Sequence, residues 1–151
     1  MKTLDLLRHA KRDADVDRLS AEGRAQAEDL GRETGAAYDV IFVSPAERAA
    51  ETAAWILRGA GRQLPEHRVV PGLAGKDETG GSAEAMAAGV RALLVEIPDG
   101  GAGLAVSHTP FVERAAAGLT GTEPPGFAEC EGIRIRQTDD GTIEVEELRA
   151  R

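Results

Sequence analysis

Two histidines and two arginines stand at or just beyond the ends of three apolar runs. Leu4-Asp5-Leu6-Leu7 leads into Arg8-His9, Val40-Ile41-Phe42-Val43 leads into Ser44-Pro45 and then Arg48, and Leu104-Ala105-Val106 leads into Ser107-His108-Thr109. A histidine ring can be neutral and nucleophilic at physiological pH. An arginine offers a permanent cation whose planar fork of donors matches phosphate oxygens. Together they read as a site where His9 attacks a phosphoryl group that Arg8 helps to hold. Taken singly, a strand-terminal histidine is usually a hydrogen-bonded structural residue, and an arginine in a first helical turn is usually solvated. It is the repetition at three strand ends that carries information.

Those ends can meet only if the runs are strands of one sheet. In an open α/β sheet, ligands bind in the crevice beyond the carboxyl ends of the strands, and a mostly parallel sheet puts all three ends on one edge. The segments between the strands read as helices. Ser20 is placed as an N-cap with Glu22 in the first turn and Gly35 as the stop, with Ala27, Leu30 and Thr34 on one face. Pro45 suits a helix N-terminus, and the helix after it runs over about 46–58, with Ala49, Ala50, Ala53, Ile56 and Leu57 inward. Arg48 in its first turn opposes the helix dipole unless an anion lies beside it, and a helix N-terminus is itself an anion site. Ser82 caps a third helix carrying Met86, Val90, Leu93, Leu94 and Ile97 at helical spacing, and a short helix follows Pro110. A weak strand is expected over 68–70, and 71–81 is a glycine-rich loop.

Toward the C-terminus, Ile133 and Ile135 alternate with Arg134 and Arg136, an Asp139-Asp140-Gly141 turn follows, and Ile143 and Val145 alternate with Glu144 and Glu146. That is a β-hairpin with one buried face and opposite charges paired on the wet side. The expected architecture is a single domain over 1–151: a three-layer α/β/α fold with a mostly parallel central sheet and a C-terminal β-hairpin.

Composition narrows the partners. The chain has 151 residues, 42% of them hydrophobic and 29% charged, as in an ordinary folded domain. No run approaches the roughly 20 apolar residues of a membrane span, and the first residues lack the pattern of a signal peptide. Cys130 is the single cysteine, so no internal disulfide can form, which suits a reducing cytoplasm. Eighteen basic against 26 acidic residues give a net charge of -8. That field disfavours nucleic acid and anionic membranes. It also repels phosphorylated substrates at long range, so a phosphate site must be a local cluster of cations.

The motifs resemble those of a known family. Leu7-Arg8-His9-Ala10 is similar to the Arg-His-Gly signature of the histidine phosphatase superfamily, the phosphoglycerate mutase-like fold, with Ala10 in place of glycine. The 44–53 segment resembles its Ser-Pro-x-x-Arg-Ala-x-x-Thr-Ala segment, Leu19-Ser20-Ala21-Glu22-Gly23 its Leu-Thr-x-x-Gly, and Ser107-His108-Thr109-Pro110 its second-histidine segment. The short length and Glu123-Pro124-Pro125 resemble the SixA branch of small phosphohistidine phosphatases. The matches run in order from residue 3 to about 125.

The resemblance implies a two-step phosphoryl transfer without metal or cofactor. His9 becomes phosphorylated and water then hydrolyses the phosphohistidine. Arg8, Arg48 and His108 hold the phosphoryl oxygens, with Thr109 beside them in the substrate site. His9 must be neutral, which the arginines favour, whereas His108 contributes most when protonated. The implied partner is a phosphorylated protein carrying phosphohistidine, or a small phosphorylated molecule. Many members of the family place a glutamate after the third strand as general acid. Here Gly72 stands near that place, and Asp77 or Glu78 are the nearby carboxylates that can fold back to serve. A missing acid handicaps alkyl phosphates more than phosphoramidates, which favours phosphohistidine.

Other readings compete. Cys130 and Arg136 have the Cys-x5-Arg spacing of cysteine-dependent phosphatases, but the residues between alternate like a hairpin arm, and a phosphate loop cannot also be one. Zinc held by His9, His108 and a carboxylate is opposed by the flanking arginines. A catalytically slow phosphate- or phosphoprotein-binding module is the stronger rival, although binding alone does not need a nucleophilic histidine. His67, among charged residues, reads as a surface group.

Overall fold

The computed structural model describes residues 1–35, 37–63, 66–74 and 82–150. Period-2 alternation builds its centre. β1 (Lys2–Arg8), β2 (Val40–Val43) and β4 (Ala102–Ser107) are buried on both faces, so their sequences read as near-continuous apolar runs. Leu4, Leu6, Phe42 and Ala105 point to one side, whereas Leu7, Ile41, Val43, Leu104 and Val106 point to the other. With β3 (His67–Val69), β5 (Gly132–Gln137) and β6 (Ile143–Leu148), they form a six-stranded sheet in the order β3-β2-β4-β1-β5-β6. β1, β2, β3 and β4 run parallel, and the β5–β6 hairpin adds antiparallel to β1. The register sets Arg8 opposite Ser107 and Val43 opposite Val106, so the three site-bearing ends share one edge.

Helices cover both faces. α1 (Ala21–Thr34) and α2 (Glu47–Gly59) pack on the side of Leu7 and Ile41. α3 (Ala83–Glu96) and α4 (Phe111–Thr120) pack on the side of Leu4 and Phe42. Ser20 caps α1 through its hydroxyl, and Gly35 ends it in the left-handed region at φ 58°, as the sequence predicts. The inward face of α1 differs from the expectation. Gly23, Ala27 and Gly31 are buried, while Thr34 is exposed and bonds back to the carbonyl of Leu30. The cause is close packing on α2: a Cβ at Gly31 would lie 1.8 Å from the Ile56 carbonyl oxygen. The third strand is shifted by one residue from 68–70 and is an exposed edge, with His67 at the surface.

The hairpin pairs Arg134 with Glu146 and Arg136 with Glu144 in register, as expected. The side chain of Arg134, however, turns to Asp5 on β1. Its Nε and Nη2 donate to the two carboxylate oxygens at 2.7 and 3.0 Å, and Tyr38 donates its hydroxyl to the same group at 2.6 Å. A carboxylate 3% exposed in the middle of a sheet needs such partners. Burial and the Asp5 charge raise the Tyr38 pKa well above its ordinary value.

Candidate active site

The three strand ends are stitched together by backbone bonds beyond the ladders. His9 N–H donates to the Ser107 carbonyl at 3.0 Å and Ser44 N–H to the Val106 carbonyl at 3.1 Å. His9, Ser44 and His108 therefore leave the sheet side by side.

His9 is 7% exposed, and its ring orientation follows from its partners. Nδ1 lies 2.7 Å from the carbonyl oxygen of Ala10, an acceptor, so Nδ1 carries the proton. Nε2 accepts from Arg48 Nε at 3.3 Å, so the lone pair of His9 faces the Arg48 guanidinium. The His9 pKa falls below its ordinary 6.5. Burial is the largest cause, the bond to the Ala10 carbonyl pulls the other way, and the charges of Arg48 and Arg8 add to the lowering. The arginines that the sequence points to do lower it, but after burial.

His108 lies beside it, with ring centroids 5.2 Å apart and planes 63° to each other. Its Nδ1 faces Arg48 Nη2 at 3.3 Å and its Nε2 faces Ser44 Oγ at 2.7 Å. A guanidinium only donates, so toward Arg48 Nδ1 is the acceptor, which leaves Nε2–H to donate to Ser44.

Arg48 spans both histidines, and its third nitrogen is anchored. Nη1 donates to Asp17 Oδ1 at 2.8 Å. The same carboxylate accepts from Glu47 N–H at 2.9 Å and Arg48 N–H at 3.4 Å, capping α2, whose N-cap residue Ala46 makes no side-chain cap bond. The anion that offsets a cation in this first turn is thus Asp17. Sequence reasoning missed it, because 11–17 shows no periodicity. The segment is held by an Asp13 side chain accepting from the N–H groups of Asp15 and Val16 and by a bridge between Arg12 and Leu19. Thr52 adds a second fastening. Its hydroxyl accepts from Ala10 N–H at 3.0 Å and donates to the Arg48 carbonyl at 2.7 Å, joining the residue after His9 to α2.

Arg8 completes the cationic side. Nη1 donates to the Phe127 carbonyl at 2.9 Å, and Nη2 lies 3.6 Å from Glu129. Thr109 is exposed and donates its hydroxyl to Glu113 at 2.6 Å. The chain after β3 forms a 3-10 turn, Pro71–Ala74, tied to the site by Ser107 Oγ donating to the Leu73 carbonyl at 2.6 Å. Asp77 and Glu78 lie outside the described residues. Among the described residues no group of three or more His, Cys, Asp and Glu is placed to hold a metal ion. Cys130 and Arg136 do not form a phosphate loop: Arg136 is on β5 and bonds Glu146, and burial pushes the Cys130 thiol up to about 12.

A buried imidazole with a lone pair beside two guanidiniums suits an anionic electrophile. Residues 4–75 match the family model of the histidine phosphatase superfamily, branch 1. Over that stretch, just under half of its length, the chain is similar to the histidine phosphatase superfamily. The match supports a phosphatase with a histidine nucleophile. Solved structures share the fold of this chain end to end. Phosphoglycerate mutase from Bacillus anthracis superposes with a TM-score of 0.79 at 16% identity, covering 97% of this chain and 92% of that one. Phosphoserine phosphatase from Entamoeba histolytica, in complex with 3-phosphoglyceric acid, gives 0.77 at 18%, covering 100% and 98%. The protein histidine phosphatase SixA, complexed with tungstate, gives 0.72 at 24%, covering 97% and 96%. No curated protein matches this chain in sequence. Among the described residues no helix is long and apolar enough to cross a membrane.

Proposed function

We propose that this protein is a histidine phosphatase that hydrolyses protein phosphohistidine through a covalent intermediate on His9. The observation that carries the reading is the His9 ring itself: Nδ1 is spent on the Ala10 carbonyl and Nε2 keeps its lone pair toward Arg48. In the first step Nε2 attacks phosphorus and the bond from phosphorus to the substrate's ring nitrogen breaks. The departing ring nitrogen takes up a proton from solvent, the equivalent of the one that water gives up in the second step. In the second step water attacks phosphorus, the His9–phosphorus bond breaks, and inorganic phosphate leaves. Arg48 and Arg8 offset the negative charge that gathers on the phosphoryl oxygens, with His108 and Thr109 lining the same site. No step draws on a metal ion or a cofactor.

The choice of a phosphoramidate is supported by the chain after β3. Pro71–Ala74 carries no carboxylate, and an imidazole leaving group needs less help from an acid than an alkoxide does. The decisive comparison offers a phosphohistidine peptide, a phosphoserine peptide and a small aryl phosphate to the wild type and to His9→Ala. The expected result is phosphate release at least about tenfold faster from the phosphohistidine peptide, with none from His9→Ala. Faster hydrolysis of the phosphoserine peptide overturns the substrate, and turnover by His9→Ala overturns the nucleophile. Binding of all three without an acid-labile label on His9 favours the binding module instead.

A further inference from the structure

Glu113 lies in the first turn of α4 and is 6% exposed. One of its oxygens does two jobs. Oε2 accepts the Thr109 hydroxyl at 2.6 Å and the Phe127 N–H at 3.2 Å. Its other oxygen, Oε1, is buried with no hydrogen-bond partner. A half-satisfied buried carboxylate costs stability, so a contribution to folding alone does not explain it well. What it touches explains it better. Phe127 is 3% exposed, and its carbonyl takes the Arg8 Nη1 bond, so residue 127 is held by Glu113 at its amide and holds Arg8 at its carbonyl. Glu113 thereby joins the residue after His108 to the residue before His9, across two segments far apart in the chain.

We infer that Glu113 is a positioning residue for phosphoryl binding, fixing the Arg8 guanidinium through the Phe127 backbone. The inference rests on the phosphatase reading above. It predicts a defect in anion binding that passes through Arg8, which a residue serving only the fold would not produce.

The test measures steady-state hydrolysis of an aryl phosphate, and inhibition by orthovanadate, for Glu113→Ala, Glu113→Gln, Arg8→Ala and the double variant Glu113→Ala/Arg8→Ala. Glu113→Ala is expected to raise KM and the vanadate inhibition constant about tenfold, with a smaller change in kcat. Glu113→Gln keeps an acceptor oxygen in place and is expected to restore most of that loss. In the Arg8→Ala background, removing Glu113 is expected to add no more than about twofold, because the two act along one path. Where Glu113→Ala does not fold, Glu113→Asp carries the same expectation, since it keeps the charge and loses reach. A variant that only melts earlier, with KM and vanadate inhibition unchanged, overturns the inference. So does a Glu113→Ala effect of equal size with and without Arg8, or a Glu113→Gln as impaired as Glu113→Ala. Turnover that survives His9→Ala would instead sink the catalytic reading, so the two failures are distinguishable.

Discussion

Asp17 grips Arg48 twice: one carboxylate binds the guanidinium at 2.8 Å and also accepts the N–H groups that open α2. The same anion fixes where the helix starts and where its arginine points. Arg48 is then free to vary little, and its remaining nitrogens fall on His9 and His108 at 3.3 Å each.

Replacing Asp17 therefore separates cap from charge. Asp17→Asn keeps an acceptor for the helix N-terminus and loses the ion pair, so kcat/KM for an aryl phosphate is expected to fall about tenfold with little change in melting temperature. Asp17→Ala loses the cap as well and is expected to cost about 1 kcal/mol of stability in urea unfolding. Burial raises the Asp17 pKa, but the bonds from Arg48 and the backbone N–H groups of Glu47 and Arg48 outweigh it, leaving the group below its ordinary 3.8. Between the folded and unfolded values the unfolded chain binds more protons, so this contribution is complete above 3.8 and is lost as pH falls through the folded value. Asp17→Asn should flatten that acid limb.

The depressed His9 pKa predicts the pH profile of turnover. His9 is neutral above 6.5 and stays neutral somewhat below it, so the acid limb of kcat/KM attributable to His9 should have its midpoint under 6.5. The same shift makes the folded state easier to destabilise by acid, because the unfolded ring takes up its proton first as pH falls. An NMR titration of the His9 ring checks the value directly. Since burial is the larger cause, Arg48→Ala should raise the midpoint only part of the way back; full recovery to 6.5 would show the guanidinium to dominate.

Much of this arrangement is legible in the chain because each strand is a short apolar run ending in its polar cargo, and because Ser20, Gly35 and Ser82 mark helix ends by chemistry that acts locally. Asp17 and Glu113 are not legible for the opposite reason. Each acts on residues brought near by the fold, and each has an ordinary local reading, a charged loop residue and an acid in a first helical turn. Arg134 misleads in the same way. Alternation places it on the wet face of the hairpin, but nothing in the sequence says that Asp5, 129 positions earlier, is within its reach.

Gly31 sets how closely α1 approaches α2. Gly31→Ala forces a Cβ to within 1.8 Å of the Ile56 carbonyl oxygen, which backbone cannot yield without separating the helices. A loss of about 3 kcal/mol in urea unfolding is expected, the upper part of the range for overpacking. Gly35→Ala, strained only by its left-handed φ of 58° in open space, should cost less, about 1 kcal/mol.

Cys130 offers a test of the competing nucleophile. With its thiol pushed up to about 12, first by burial and then by Glu129, it is not a thiolate at neutral pH. Cys130→Ser and Arg136→Ala are each expected to leave phosphate release within about twofold of wild type, and iodoacetamide should not inactivate the protein. Inactivation by the reagent, prevented by vanadate, would return the cysteine to consideration.

Thr52 couples stability to the site most directly. It is fully buried, and Thr52→Val keeps its shape while leaving the Ala10 N–H, which is also buried, without an acceptor. An orphaned buried donor costs about 1–3 kcal/mol. Because Ala10 also supplies the carbonyl that orients the His9 ring, turnover should fall along with unfolding free energy. Thr52→Ser, which restores the hydroxyl and deletes only a methyl group, should recover turnover more fully than stability. A Thr52→Val protein that is destabilised but turns over normally would show that the Ala10 carbonyl holds its place without the threonine.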